Sequence, residues 1–167
     1  MQRLSDDVGI FEHADGATPR RQLGYCVDDV ARALVVVARQ PDPTPLLGDL
    51  MDRYLAFVVS AQAPDGRCHN RLGIDRRWTD AAGVDDSWGR ALWGLGTVAA
   101  RASDETVRRR SSDAFALSAR WRCRHRRAMA FGALGAAEVL TVAPDDPAAR
   151  ALLAAAVRAV GRPTGSR

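Results

Sequence analysis

A seven-residue motif that occurs twice constrains the fold of this chain more than any other feature. DDVARAL at residues 28–34 aligns with DSWGRAL at residues 86–92, an offset of 86 − 28 = 58 residues. A looser third copy, RRAMAFGALG, begins at residue 126. A period of this length fits a unit of two helices. The repeat therefore predicts an all-α fold of about three helical hairpins, typical of part of an (α/α)6 toroid or of a solenoid.

The hydrophobic pattern predicts six helices, over residues 27–39, 46–62, 86–101, 104–119, 126–142 and 147–160. The first, third and fifth are apolar on nearly every face, whereas the others each have a polar face. This alternation predicts an inner and an outer layer of helices. Residues 63–83 have no helical pattern, and their Pro-Asp-Gly turn predicts a long loop with room for a short hairpin.

The composition is that of one ordinary globular domain. Its 167 residues, 47% of them hydrophobic, are enough to form a packed core. No apolar run reaches the roughly 18 residues of a membrane span. The N-terminus lacks the apolar segment of a signal peptide. We therefore expect a cytoplasmic location and no membrane span.

Charge and cysteine content argue against two other classes of protein. The net charge is +4, but all 24 basic residues are Arg, which indicates a GC-rich coding bias, and we expect no nucleic-acid partner. The three cysteines form no Cys-X-X-Cys pair, so neither a zinc site nor a disulfide framework is indicated. We expect no bound metal and no cofactor.

Two acidic pairs stand at equivalent places in the repeat. Asp28 and Asp29 begin the first inner helix, and Asp85 and Asp86 begin the third predicted helix, which is also an inner one. Inner helices of a layered array run parallel, so their N-termini share one rim of the molecule. The loop over residues 63–84 enters the same rim. We therefore expect the four carboxylates to lie on one side of the domain.

Helix capping is the alternative interpretation for each aspartate taken alone. Asp is a preferred N-cap residue, worth about 1 kcal/mol, and the helix dipole favours a negative charge there. One cap per helix suffices, however, and both copies carry two aspartates. Paired carboxylates act as general acid, base or nucleophile at a glycosidic bond. The candidate catalytic residues are therefore Asp28, Asp29, Asp85 and Asp86.

Polar and aromatic residues near the acidic pairs complete the predicted site. Asp, Asn and Arg groups hydrogen-bond sugar hydroxyls, and Trp or Tyr offers a flat apolar face to a sugar ring. An ion pair with a nearby Asp is the alternative for both arginines, and an ordinary loop residue is the alternative for the histidine. The candidate saccharide-binding residues are His13, Tyr25, Arg32, Asn70, Asp75, Trp78, Trp88 and Arg90, and the loop also contributes Asp80.

Four segments in fixed order carry a resemblance to a known family: QRLSDDVGIFEHA, GYCVDDVARAL, YLAFVVSAQAPDGRCHNRLGIDRRW and DDSWGRALWGLG. They resemble a bacterial family of six-hairpin (α/α)6-toroid domains, which often occur beside glycosyltransferases or fused to them and are commonly described as glycosyltransferase or glycosidase-like. The similarity covers roughly residues 2–100. It implies a cleft of sugar size lined by the four aspartates, with a saccharide as ligand and a glycosyltransferase as partner.

The chain departs from the family pattern after residue 100. The stretch SARWRCRHRRAMAFG stands where the family has a Ser-Pro-Arg segment, and its many basic residues are interpreted as sequence drift or an altered reading frame. Three hairpins are visible, whereas the family has six. The resemblance thus implies that residues 1–167 form one incomplete toroid domain, its N-terminal half. The other half of the toroid is then a second expected partner.

Three functions are compatible with these features. The leading hypothesis is a carbohydrate-active domain, glycosidase-like or associated with a glycosyltransferase, that acts on or binds a saccharide in the acidic cleft. The second is a non-catalytic accessory or interaction domain of a glycosyltransferase system, in which the aspartates cap helices, and it includes an inactive fragment. The third is isoprenoid chemistry at an Asp-rich metal site, although DDVAR lacks the further Asp of a DDxxD motif.

Overall fold

The computed structural model describes residues 2–161 and confirms a predominantly helical fold. None of the helices in this range combines the length and hydropathy needed to cross a membrane. The helices are α1 (Val27–Ala38), α2 (Pro45–Ser60), α3 (Asp86–Arg101), α4 (Glu105–Ser118), α5 (Arg126–Val142) and α6 (Pro147–Val160). Four short strands accompany them: β1 (Ala14–Asp15), β2 (Thr18–Pro19), β3 (Tyr25–Cys26) and β4 (Arg71–Leu72).

The starts of α2, α4 and α6 follow directly from local sequence. The side chains of Thr44, Asp104 and Asp146 each accept a hydrogen bond from a first-turn N–H of the helix that follows. Such a bond satisfies one of the N–H groups that have no partner within the helix. Pro45 and Pro147 add a fixed backbone angle suited to the first helical turn.

The helices pack in an inner row and a flanking row. Helix α3 packs against α1 on one side and α5 on the other, while α2, α4 and α6 each pack against the helix before them. Eleven of the 16 residues of α3 are buried, but only four of the 14 residues of α4. Helix α3 is therefore the centre of the core, and α4 covers it with one face.

The inner helices run in the same direction. Gly89 of α3 faces the backbone of Ala128 in α5, and Gly96, two turns later, faces Gly135. At the far end, the buried Glu138 of α5 accepts hydrogen bonds from Arg39 (2.5 Å) and Arg101 (3.0 Å), which follow α1 and end α3. The N-termini of α1, α3 and α5 consequently lie at one end of the molecule.

The loop between α2 and α3 is ordered by pairing and by one buried serine. Strand β4 pairs with β3 in antiparallel register, and Leu72 bridges to Trp78 across a tight turn, so the loop contains a short hairpin. The Ser118 hydroxyl at the end of α4 donates to the Gly66 carbonyl at 2.6 Å. Gly66 has a φ of +88° and touches the α4 backbone, a position that admits only glycine. These contacts bring the loop to the N-terminal end of the inner helices.

Candidate functional site

A cavity of about 390 Å³ lies between the N-termini of α1 and α3 and the loop that precedes α3. We call it the acidic cavity, because four carboxylates face it. Three of them, Asp28, Asp85 and Asp86, come from the predicted acidic pairs, and the fourth comes from the loop. Its polar lining consists of Asp28, Cys68, Asn70, Arg71, Asp80, Asp85, Asp86 and Ser87.

Asp28 is a carboxylate whose surroundings shift its pKa. Burial raises its pKa above the usual value, the Arg90 guanidinium opposes that shift, and the neighbouring charge of Asp86 reinforces it. Arg90 Nε lies 3.4 Å from Asp28 Oδ1. The two atoms are not aligned for a hydrogen bond, and neither has another partner among residues 2–161. Asp28 is thus a carboxyl group that keeps its proton to a higher pH than an ordinary Asp.

Asp85 and Asp86 begin α3, yet neither forms a capping hydrogen bond. Asp85 occupies the N-cap position, but its side chain accepts no bond from the first turn. The Asp85 carboxylate instead lies against Gly83. A Cβ added to Gly83 would be only 2.8 Å from Asp85 Oδ2. Asp86 instead forms an ion pair with Arg127 at the start of α5. Capping therefore does not explain the acidic pair at α3.

Capping does not explain the acidic pair at α1 either, because this helix begins one residue before the pair. Cys26 occupies the N-cap position and makes no side-chain capping bond. The first helical N–H, that of Val27, donates to the Asn70 carbonyl at 2.8 Å. Asp28 and Asp29 follow within the first turn, where their charges interact favourably with the helix dipole.

Asp80 fixes the loop that forms one side of the acidic cavity. Its two carboxylate oxygens accept hydrogen bonds from the backbone N–H groups of Asn70 (2.7 Å) and Arg71 (3.0 Å). Asn70 Oδ1 accepts from the Cys26 thiol at 3.2 Å. Asn70 therefore lines the cavity, held between Asp80 and the start of α1.

Asp29 and Arg32 do not belong to the acidic cavity, which corrects two of the predicted site residues. Asp29 forms an ion pair with Arg32, one turn along α1. Both line a separate groove beside Phe11 and Glu12 of the N-terminal segment. The cause is the helical rotation of about 100° per residue, which points neighbouring side chains in different directions.

Tyr25 and Trp88 are core residues and offer no face to a ligand. The Tyr25 ring stacks on Phe11 with centroids 4.9 Å apart, and its hydroxyl donates to Asp6 Oδ2 at 2.6 Å. Burial and that hydrogen bond raise the pKa of the Tyr25 phenol. Trp88 is fully buried, and its Nε1 donates to the Ser118 carbonyl at 3.0 Å. The predicted role of both as sugar-stacking residues is wrong.

His13, Asp75 and Trp78 lie away from the cavity as well. His13 is exposed, and its Nε2 lies 3.6 Å from a Glu12 carboxylate oxygen. Asp75 accepts a hydrogen bond from the Arg77 N–H and shapes an exposed turn. Trp78 stacks on His69 at 5.2 Å between centroids and does not line the cavity. Loop position alone did not predict where these side chains point.

Arg90 combines two contacts at the edge of the site. Besides Asp28, its guanidinium lies over the Phe131 ring of α5, 4.6 Å from the centroid. A cation over an aromatic face is attracted by the ring's quadrupole. Arg90 is thus held in place from two sides. It is the one predicted arginine that contacts a carboxylate of the cavity.

A second cavity, of about 580 Å³, adjoins the first and shares Asp85 and Asp86 with it. Its other lining residues are consecutive, Arg124 to Arg127, and we call them the basic wall. All four side chains of this wall are on exposed residues. The basic stretch interpreted from the sequence as drift therefore forms a defined surface beside the acidic pair of α3.

The site combines one carboxyl group with a raised pKa, that of Asp28, with a second, that of Asp86, which is paired with Arg127. Within residues 2–161, no group of three or more His, Cys, Asp or Glu side chains is arranged to hold a metal ion. A scan against protein-family models finds no match for the chain, and neither does a search of curated proteins. The fold and the site define a helical domain with an acidic cavity between the N-termini of α1 and α3.

Proposed function

We propose that this protein is a carbohydrate-active domain of glycoside hydrolase type, which binds a saccharide in the acidic cavity. One observation carries the proposal: Asp28, with its raised pKa, shares a single cavity with Asp85 and Asp86. Two carboxyl groups in different environments are what acid–base cleavage of a glycosidic bond requires. The resemblance of residues 2–100 to the six-hairpin toroid family supports the same substrate class.

The two environments suggest a division of roles. Asp28 donates its proton to the glycosidic oxygen as the bond to the leaving sugar breaks, because its burial favours the neutral form. Asp86, at the start of α3 and paired with Arg127, is the carboxylate that attacks the anomeric carbon or activates water. Arg90, 3.4 Å from Asp28 Oδ1, positions the Asp28 carboxyl group.

We also propose that the three helical hairpins form part of an α/α toroid. Parallel inner helices, each covered by the helix that follows it, form the repeating unit of an α/α toroid. Three such hairpins then form an arc of the toroid, with the acidic cavity on its rim. Small-angle scattering of the purified protein, compared with the profile calculated for this arc, tests whether solution assembly adds further hairpins.

The experiment for catalysis measures reducing ends released from a panel of α- and β-linked oligosaccharides. We expect Asp28→Asn and Asp86→Asn each to lower turnover at least about 100-fold, the range of general acid–base catalysis. Asp75→Asn is the matched control, since this Asp shapes an exposed turn outside the cavity. Turnover that is unchanged in Asp28→Asn contradicts the proposed mechanism.

A non-catalytic accessory domain is the second candidate, and one observation favours it. Both Asp28 and Asp86 already have a cationic neighbour, Arg90 and Arg127 respectively. Structural ion-pair networks also perturb carboxylate pKa values. In that case the cavity binds a glycan, or a glycosyltransferase that carries one, without cleaving it. Calorimetry that detects oligosaccharide binding, together with no sugar release by any variant, would support this alternative.

A further inference from the structure

The basic wall has more positive charge than its neighbours neutralise. Arg127 is paired with Asp86. Arg124 Nε points to His125 Nε2 at 3.2 Å, and neither Arg124 nor Arg126 forms an ion pair with a carboxylate among residues 2–161. The cavity beside them has a volume of about 580 Å³. Within residues 2–161, two guanidinium groups at the edge of this cavity therefore have no carboxylate partner and can bind an anionic ligand.

The arginines of the basic wall lie at the N-terminus of α5, where the positive end of the helix dipole adds to the repulsion between them. His125 is the N-cap residue of α5 and makes no side-chain capping bond, so first-turn N–H groups of the helix also point toward this end. Cations near a helix N-terminus are unfavourable, whereas an anion there is favourable. Both α1 and α3 carry carboxylates in the first turn, but α5 carries two arginines. An anionic group at the wall would remove this conflict.

We propose that the basic wall binds an anionic group, a carboxylate or a phosphate, of the saccharide whose glycosidic bond lies in the acidic cavity. The inference rests on the proposed saccharide function and narrows it to charged sugars. Arg side chains suit this task because their planar fork can bind two oxygens of a carboxylate or phosphate at once. Asp85 and Asp86 line both cavities, so a ligand can extend from one to the other.

Calorimetry with matched ligands tests the proposal on the full chain. One pair is a trigalacturonate and the neutral galactose trisaccharide of the same linkage, and the other is a hexose 1-phosphate and the free hexose. In low-salt buffer we expect one charged ligand to bind at least about tenfold more tightly than its neutral counterpart. The first pair identifies a carboxylate and the second a phosphate.

Two double variants separate a specific site from general charge. Arg124→Gln with Arg126→Gln should abolish the preference for the charged ligand and leave neutral binding unchanged. Arg109→Gln with Arg110→Gln removes the same two charges from exposed residues of α4 and should keep the preference. Far-ultraviolet circular dichroism verifies that both variants are folded.

Four results would overturn the inference. Equal affinity for charged and neutral sugars contradicts the basic wall while leaving the proposed saccharide function intact. Equal losses in the two double variants show that net charge, and not the wall, attracts the ligand. Absence of binding by every saccharide contradicts both the inference and the proposed function. Tighter binding of a single-stranded oligonucleotide that depends on Arg124 and Arg126 assigns the wall to nucleic acid instead.

Discussion

The interface between α3 and α5 depends on glycines, and replacing one of them gives a sharp test of the packing. A Cβ added at Gly135 would lie 2.6 Å from the Leu92 carbonyl carbon and 3.0 Å from the Trp93 Cα. These are backbone atoms in the buried middle of α3, so no side chain can rotate away. To reach ordinary contact distance, the two helices must separate by about 1 Å, which weakens the tight packing along their length.

The expected loss of stability follows from two opposing contributions. Overpacking of a core by added carbon atoms costs about 1–3 kcal/mol, and rigid backbone neighbours favour the upper end of that range. Alanine in place of glycine contributes about 1 kcal/mol through helix propensity. The net expectation for Gly135→Ala is therefore a decrease of about 2 kcal/mol in the free energy of unfolding. For a chain of this size, that lowers the Tm by roughly 4–8 °C.

Gly132, on the same helix, provides the matched control. Its added Cβ would meet Leu92 Cδ1 at 3.4 Å and Leu152 Cδ2 at 3.6 Å, which are ordinary contacts with flexible side chains. We expect Gly132→Ala to be neutral or up to about 1 kcal/mol more stable than the wild type. Urea denaturation followed by circular dichroism, with an unchanged m-value, measures both variants. If Gly135→Ala is as stable as Gly132→Ala, the close helix approach is refuted.

Three further predictions concern ionisable groups. Because the folded-state pKa of Asp28 is raised, its ionisation opposes folding, so the wild type should lose stability relative to Asp28→Asn as the pH rises above about 4, the ordinary pKa of Asp. A difference in Tm that does not change with pH contradicts this. Burial raises the pKa of the Cys26 thiol to about 11 and that of the Cys68 thiol to about 12. At pH 8 both thiols should therefore react with Ellman's reagent only after the protein unfolds. Rapid labelling of either thiol in the native protein contradicts its burial. Glu138→Gln should lower the free energy of unfolding by about 1–2 kcal/mol. The loss is smaller than for a fully buried ion pair, because both partners, Arg39 and Arg101, are half exposed. A urea midpoint equal to that of the wild type argues against a stabilising role of these two ion pairs.

The helices could be predicted from the sequence because their signals are local. Each predicted boundary lies within two residues of the observed one, and both ends of α3 agree. Pro45 and Pro147 mark helix starts by their backbone geometry, and runs of apolar residues identify the buried helices. The same local signals could not show that Asp85, in the N-cap position, turns toward Gly83, because that depends on the loop packed beside it.

The site could be predicted only in part, because the direction of a side chain depends on packing. Trp88 follows Asp86 by two residues, and at about 100° per residue it points to nearly the opposite side of α3. The tryptophan therefore lies in the core while the aspartate faces the cavity. Tyr25 lies on a strand whose pairing with β4 directs its ring inward. The burial of Trp88 can be predicted from the rotation per residue of a helix, whereas the burial of Tyr25 depends on the pairing of β3 with β4.

The basic wall could not be predicted from the sequence, because it is defined by its position beside Asp86, and Arg124 lies 124 − 86 = 38 residues further along the chain. Read along the chain, four consecutive basic residues suggest only a solvated surface. In the structure, Arg127 of this stretch neutralises Asp86, and the remaining arginines face a cavity that Asp86 also lines. The contact of the basic wall with Asp86 and with the shared cavity is therefore a product of the fold.

The N-termini of α1, α3 and α5 lack side-chain caps, and this links the stability of the protein to ligand binding at the end where they lie. The three outer helices each have a side-chain cap, whereas α1, α3 and α5 have none. A missing cap costs about 1 kcal/mol per helix, and proteins keep such departures mainly at functional sites. Carboxylates in the first turn offset the cost for α1 and α3, but the arginines of α5 increase it. An anion that binds the basic wall should therefore also raise the Tm, by an amount set by its concentration relative to its Kd.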